Sequence, residues 1–264
     1  MRVIVKLEAL EDCAYEYEYH HHLQGLIYNL IKGSEYSYLH DKKGYKFFCF
    51  SNIFPAMDLK KGDNRTLIVS SPDDLFIERL GEIFLKNKKS KDRVKVGKMS
   101  FTIDNIKVLK YRISSKGVYL ITGTPIIVRI PKERYNDYGI VLEKPYGYVY
   151  WRKEHPLTAF VKQVEDNLVK KHQEFYDSKI QDKILPLIQT LLFRKQVSTR
   201  LHFEKRIQTV IGTTWEFMFK GLSQEQIKLL EFGLDAGFGE MNSKGFGFMN
   251  LVAQSRQDKL GSDF

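Results

Sequence analysis

The most chemically distinctive stretch of the chain is Gly237-Phe238-Gly239-Glu240-Met241-Asn242-Ser243-Lys244-Gly245-Phe246-Gly247-Phe248, with four glycines in its first eleven positions and aromatics between them. Glycine reaches φ > 0 without strain and lets backbone N–H groups approach a ligand closely, as cradling a phosphate demands. The mononucleotide pattern Gly-x-x-x-x-Gly-Lys-Ser/Thr and the dinucleotide pattern Gly-x-Gly-x-x-Gly are both missing. The segment also leads from a helix pattern into a strand pattern, the reverse of those motifs. With Lys244 and a positive chain, Gly237, Gly239, Asn242, Ser243, Lys244, Gly245 and Gly247 form a candidate surface for a phosphate backbone; a purely structural turn is the alternative. Arg194, Lys195, Arg200, Lys205 and Arg206, with His202 among them, lie between two strand-like stretches. A projecting arm of this kind would neutralise phosphates without reading bases, and a solvated hairpin is its bland counterpart. His20-His21-His22 are adjacent, so they point in different directions on a helix, and they lack both i, i+4 spacing and a suitably placed Cys or carboxylate. No metal site and no cofactor are expected. The acid pair Asp73/Asp74 suits a helix start and Glu231/Asp235 a solvated helix face.

Composition narrows the classes of function. The 264 residues carry 42 Lys+Arg against 32 Asp+Glu, a net charge of +10, together with 18 Phe, 15 Tyr and 2 Trp. This balance suits a polyanion whose bases could stack on aromatic rings. A 43% hydrophobic content excludes a disordered chain. No uninterrupted apolar run is long enough to span a bilayer and the first residues are too charged for a signal-peptide core, so a cytoplasmic location without membrane partners is expected. Cys13 and Cys49 cannot form a disulfide framework and read as packing residues.

The elements that must position these residues follow from periodicity. Arg2 to Leu7 alternates as a strand, and Leu23, Leu26, Ile27, Leu30 and Ile31 define an amphipathic helix ending near Gly33. Phe47 to Phe54 and Thr66 to Ser70 read as strands. Ser71 is the expected N-cap of a helix carrying Pro72 at its first position and Phe76, Leu80, Ile83 and Phe84 as its stripe. Phe101 to Tyr111 is extended. After the linker Ser114-Ser115-Lys116-Gly117 the order repeats. Strands are expected at Val118–Ile121 and Ile126–Ile130, a helix over Pro156–Tyr176, and strands at Leu187–Phe193 and Thr209–Phe219. Ser223 and Gln226 form a capping box for a helix ending at Gly237, and Phe246–Val252 supplies a last strand. The pattern predicts an α+β fold of two tandem ferredoxin-like (βαββαβ) domains with antiparallel sheets, over residues 1–113 and 118–253, followed by an extension over 254–264.

The glycine-rich segment, together with His22-Leu23-Gln24-Gly25-Leu26-Ile27-Tyr28-Asn29, Tyr38-Leu39-His40 and Lys46 in that order along the chain, resembles the CRISPR-associated endoribonucleases that cut repeat transcripts into guide RNAs, a branch of the repeat-associated mysterious protein (RAMP) superfamily. The resemblance covers nearly the whole chain to about Ala253. It implies a metal-independent endoribonuclease that binds CRISPR repeat RNA and cleaves it by attack of the 2′-hydroxyl, leaving 2′,3′-cyclic phosphate and 5′-hydroxyl ends. By motif match it places Tyr28, His40 and Lys46 in the catalytic site. Histidine alone among these types titrates near neutrality when unperturbed, so His40 is the principal acid/base residue, Lys46 offsets phosphate charge, and Tyr28 orients or transfers a proton. At about 100° per residue Tyr28 projects away from the apolar stripe, one turn beyond Gln24, on a side it shares with Gly25 and Asn29. A non-catalytic RNA-binding subunit of the same superfamily is the principal alternative. Self-association as a homodimer and association with a CRISPR effector complex stay open.

Overall fold

The computed structural model describes residues 1–142, 146–178, 184, 186–203 and 206–252. In β1 (Arg2–Ala9) the side chains of Val3, Val5, Leu7 and Ala9 are buried while the alternating Lys6 and Glu8 are exposed, so the period-two alternation pins one face of the strand to the core. This strand pairs antiparallel with β3 (Asn64–Ser70) on one side and β5 (Met99–Leu109) on the other. The short β2 (Cys49–Phe50) and β4 (Val94–Val96) complete a sheet of order β2-β3-β1-β5-β4. Helices α1 (Tyr19–Ile31) and α2 (Asp74–Ser90) bring Leu23, Ile27, Phe76, Leu80 and Phe84 into one cluster with the inward residues of β1.

The second half runs β6 (Gly117–Thr122), a small hairpin of β7 (Arg129–Pro131) and β8 (Tyr148–Tyr150), α3 (Leu157–Tyr176), β9 (Thr190–Phe203), β10 (Arg206–Lys220), α4 (Gln224–Ala236) and β11 (Met249–Leu251). Its main sheet has the order β11-β6-β10-β9. With β4 and the β7–β8 hairpin set aside, both halves place their four strands fourth-first-third-second, all antiparallel, with two helices as crossovers. That is the tandem ferredoxin-like arrangement expected from the order of elements. The capping box of α4 is formed, with Gln226 N donating to Ser223 Oγ at 3.2 Å and Ser223 N donating to Gln226 Oε1 at 3.0 Å.

Several local expectations are corrected. The N-cap of α2 is Asp73, whose carboxylate accepts from Phe76 N at 3.0 Å; Ser71 donates instead to Phe47 O, and Pro72 precedes the helix. Phe47–Phe54 contains only a two-residue strand and a bridge from Phe54 to Thr66. The last strand begins at Met249, because Phe246 and Gly247 belong to the folded glycine-rich loop. Glu231 and Asp235 do not form a solvated face. The amino terminus lies 2.8 Å from Asp235 Oδ2, Arg2 donates to Leu234 O at 2.8 Å, and Glu231 accepts from Ile113 N at 2.9 Å. These contacts join the two halves, and Arg2 is buried there between the rings of Tyr111 and Phe248. No helix among the described residues is long and apolar enough to cross a membrane.

Candidate active site

Leu23, Ile27 and Ile31 recur at i, i+4 and i+8 on α1 and are buried, which turns Tyr28 to the edge of the core. Its ring packs edge-on against Phe48 while its hydroxyl accepts from Lys46 Nζ. The 3-10 turn Ser37–His40, anchored by buried Leu39, carries His40 to within 5.1 Å of the Tyr28 ring, centroid to centroid. Lys46 lies in the irregular chain leading to β2. Its Nζ donates to Tyr28 Oη and to the carbonyl of His40, both at 2.8 Å, and sits over the Tyr28 ring. The Lys46 ammonium thus joins the Tyr28 hydroxyl to the His40 main chain, while the His40 ring packs against the Tyr28 ring.

Their electrostatics follow from burial. Desolvation raises the Tyr28 phenol above its ordinary range, so it keeps its proton at neutral pH, although Gln24 and Ser243 hydrogen-bond to it and act in the other direction. Desolvation lowers Lys46, opposed by the charge of Asp41. His40 is two-thirds exposed, and its Nδ1 is 2.6 Å from Asp41 Oδ1. Donation from Nδ1–H to that carboxylate leaves Nε2 as the nitrogen with a lone pair to accept a proton. Asp41 was not singled out by sequence; an aspartate beside a histidine in a turn carries no distinguishing pattern.

The glycine-rich loop closes the site from the second half. Gln24 Nε2 donates to Ser243 O at 3.0 Å and lies 3.5 Å from Tyr28 Oη. His20 Nδ1 is 2.8 Å from Lys244 O, and its ring is stacked on Phe246 at 4.4 Å. A carbonyl can only accept, so Nδ1 carries the proton, and burial pushes this histidine down to about 4. His20 is therefore a neutral docking residue of the loop, a role the adjacent-histidine pattern did not reveal. Lys244 is lowered by desolvation and by its proximity to Lys46, which puts a second cation beside the trio.

The glycines work differently from the sequence-based expectation. Gly237, Gly239, Gly245 and Gly247 are buried and all have positive φ. The N–H groups of Gly237, Gly245 and Gly247 donate to Gly233 O, Asn242 O and Pro125 O, so these three are not phosphate donors. A Cβ on Gly247 would lie 1.9 Å from Phe238 O, and one on Gly245 would lie 2.5 Å from the Phe50 ring. Close packing explains these glycines. Asn242 is likewise turned inward, donating to Phe238 O and Phe246 O. What the loop offers outward is the partly exposed run Glu240–Lys244.

Two concave surfaces flank this seam. A cleft of about 520 Å³ between the halves is lined by Tyr45, Lys46, Phe47, Tyr148, Lys170 and Ser243 among others. On the other side, a groove between the start of α1 and the long β9–β10 hairpin is lined by Tyr17, His20, Arg194, Lys195 and Arg200. Arg194 is ion-paired with Glu216. Lys205 and the side chains of His202 and Arg206 fall outside the described residues.

Two family models match consecutive stretches that make up most of the chain: "CRISPR-associated protein Cas6, N-terminal" matches residues 14–107 and "CRISPR associated protein Cas6, C-terminal" matches residues 109–251. A protein of Methanocaldococcus jannaschii named CRISPR-associated endoribonuclease Cas6 2 is 32% identical over 96% of this chain and all of its own length. A Haloferax mediterranei protein named CRISPR-associated endoribonuclease Cas6 is 30% identical over 97% of this chain and 95% of its own. Among solved structures, one described as a RAMP protein binding different RNA substrates superposes with a TM-score of 0.71 at 22% identity, over 96% of this chain and all of that one.

Proposed function

We infer that this chain, which belongs to the Cas6 family of CRISPR-associated proteins, is an endoribonuclease that binds CRISPR repeat RNA and cuts precursor transcripts into guide RNAs. The observation that supports the mechanism is the convergence of Tyr28, His40 and Lys46, with the His40 ring against the Tyr28 ring and the Lys46 ammonium bonded to the Tyr28 hydroxyl and the His40 carbonyl. RNA brings its own nucleophile in the 2′-hydroxyl, so the protein has to manage two protons and the charge that grows on the phosphorus oxygens. His40, with Nδ1 on Asp41, presents Nε2 for proton transfer. Lys46 gives two of its three N–H groups to Tyr28 and to the His40 carbonyl, and the third is directed to a phosphate oxygen. Tyr28, kept protonated by burial, can hydrogen-bond the same phosphate or the leaving oxygen. The reaction is a transesterification without a metal-bound nucleophile, ending in a 2′,3′-cyclic phosphate and a 5′-hydroxyl.

In this reading Ser243 and Lys244 on the loop and Arg194, Lys195 and Arg200 on the hairpin contact the RNA backbone on either side of the seam, with Lys205 and Arg206 joining them as RNA-binding residues. The first half, residues 1–113, carries the chemistry, and the second, residues 118–253, carries the loop and hairpin. The protein acts in the cytoplasm on precursor transcripts, and self-association as a homodimer and association with a CRISPR effector complex belong to the same reading. The test is incubation with labelled repeat RNA in excess chelator. Cleavage at one site is expected, abolished by a 2′-deoxy nucleotide at that site and by His40→Ala while binding persists. Binding without cleavage by the unsubstituted protein would make it a non-catalytic subunit instead.

A further inference from the structure

Resting on the assignment of Tyr28, His40 and Lys46 above, we propose that Lys171 is a positioning residue for the reaction, its ammonium group holding the glycine-rich loop in the shape that docks on α1 and aligns the catalytic side chains from the other half of the molecule. Lys171 lies on α3 and is 1% exposed. Its Nζ donates to Gly237 O, to Gly239 O at 3.1 Å and to Asn242 Oδ1 at 3.0 Å, which uses all three of its protons. Among the described residues no carboxylate lies within ion-pair distance of it, so its direct partners are loop oxygens, with the charge of Glu240 acting from farther off.

Those contacts lead to the site in short steps. Asn242, held by Lys171, ties the two limbs of the loop together through Phe238 O and Phe246 O. The 3-10 turn Asn242–Lys244 then presents Ser243 O to Gln24 and Lys244 O to His20 on α1, and Gln24 adjoins the Tyr28 hydroxyl. Without the ammonium group, three oxygens with no donor would face one another inside the loop, and the turn would lose its shape. An apolar side chain of the same length would fill the space without organising those oxygens.

Burial pushes Lys171 down to about 7, so the brace is itself sensitive to pH. The groups that face it are Cys49 on β2, whose thiol burial pushes up to about 11, and Glu240 in the loop, which is taken up by Arg129 of β7. Asp235 at the end of α4 adjoins Cys49 and is held by the amino terminus and Arg2.

The experiment is single-turnover cleavage of labelled repeat RNA by the unsubstituted protein, His40→Ala and Lys171→Met, from about pH 6 to about pH 9. Lys171→Met is expected to cleave about 100-fold more slowly at the acid end, with RNA affinity within a few-fold. The ratio of the two rates should then shrink toward alkaline pH, because titration removes from the unsubstituted protein the same charge that the substitution removed. A rate within about threefold of the unsubstituted protein, or a ratio constant over the range, overturns the inference. If Lys171→Met does not fold, the backbone amide signals of Gly239 and Ser243 in the unsubstituted protein decide. They should shift together with a midpoint near about pH 7, and signals that stay fixed overturn the proposal. An inactive His40→Ala beside a fully active Lys171→Met defeats this inference alone, whereas a fully active His40→Ala defeats the site assignment and the inference with it.

Discussion

Replacing His20 by asparagine isolates the seam between the two halves without touching the proposed catalytic residues Tyr28, His40 and Lys46. The native imidazole is buried between Tyr19 and Phe246 and donates from Nδ1 to Lys244 O. An asparagine amide can make the same donation and does not titrate. A histidine ordinarily titrates near 6.5, and burial pushes this one down to about 4. As pH falls below 6.5, the unfolded chain takes up a proton that the native state refuses until about 4, so His20 removes stability across that window and nothing further below it. The gap corresponds to about 3 kcal/mol in all, of which about 2 kcal/mol is lost by pH 5. Urea unfolding followed by tryptophan fluorescence at pH 7, 6 and 5 measures this directly. Other titrating groups are common to both proteins and cancel in the difference. The stability difference between His20→Asn and the parent should move by about 2 kcal/mol in favour of the variant between pH 7 and 5. Parallel pH dependences would refute both the neutral state of His20 and its part in docking the loop.

Lys46→Ala should lower the single-turnover cleavage rate by about 10²–10³-fold, and Lys46→Arg should recover only part of it, because a planar guanidinium cannot take the place of a point ammonium between Tyr28 Oη and His40 O. Gly245→Ala places a Cβ at φ +85° against the fully buried Phe50 ring and His20. Left-handed backbone and overpacking together should cost about 2–4 kcal/mol, read as a lower urea midpoint. Lys195→Ala and Arg200→Ala should weaken repeat-RNA binding at low salt, with the slope of log affinity against log salt reduced by about 0.7–0.9 for each phosphate no longer neutralised; an unchanged slope would remove the hairpin from the binding surface.

The elements that were legible in the sequence are those whose information is local. Ser223 and Gln226 announce α4 because a capping box is closed within four residues, and the stripe of α1 is visible because burial repeats at helical spacing. The cap of α2 was displaced by two residues because Ser71 and Asp73 are both good caps, and only the hydrogen bond from Ser71 to Phe47 O, far back in the chain, decides between them. The strand expected at Ile126–Ile130 is broken into isolated bridges at Ile126 and Ile127 and the start of β7, β8 is too short to show an alternation, and β9 carries its polar run along a strand with little burial to mark it. Tyr28, His40 and Lys46 could be picked out through the family resemblance, since each is an ordinary residue in an ordinary context. His20 and Lys171 left no sequence signal, because their partners lie 224 and between 66 and 71 residues away.

That division explains why a loop with so many glycines can matter to catalysis without its glycines touching substrate. Two of the three catalytic candidates sit outside regular helix and strand, His40 in a single 3-10 turn and Lys46 in irregular chain, so their own segments fix them only loosely. Tyr28 is the rigid member, and its hydroxyl is reached by Lys46 from one side and by Gln24 from the other. Gln24 is held in turn by Ser243 O, and the loop can approach α1 that closely only because Gly245 has no side chain to strike Phe50 and His20. The glycines are therefore required by the distance between the two halves, and substitutions at them should show first as reduced stability and slowed cleavage. Weakened RNA affinity at unchanged stability would instead mean that their backbone groups meet the phosphates after all.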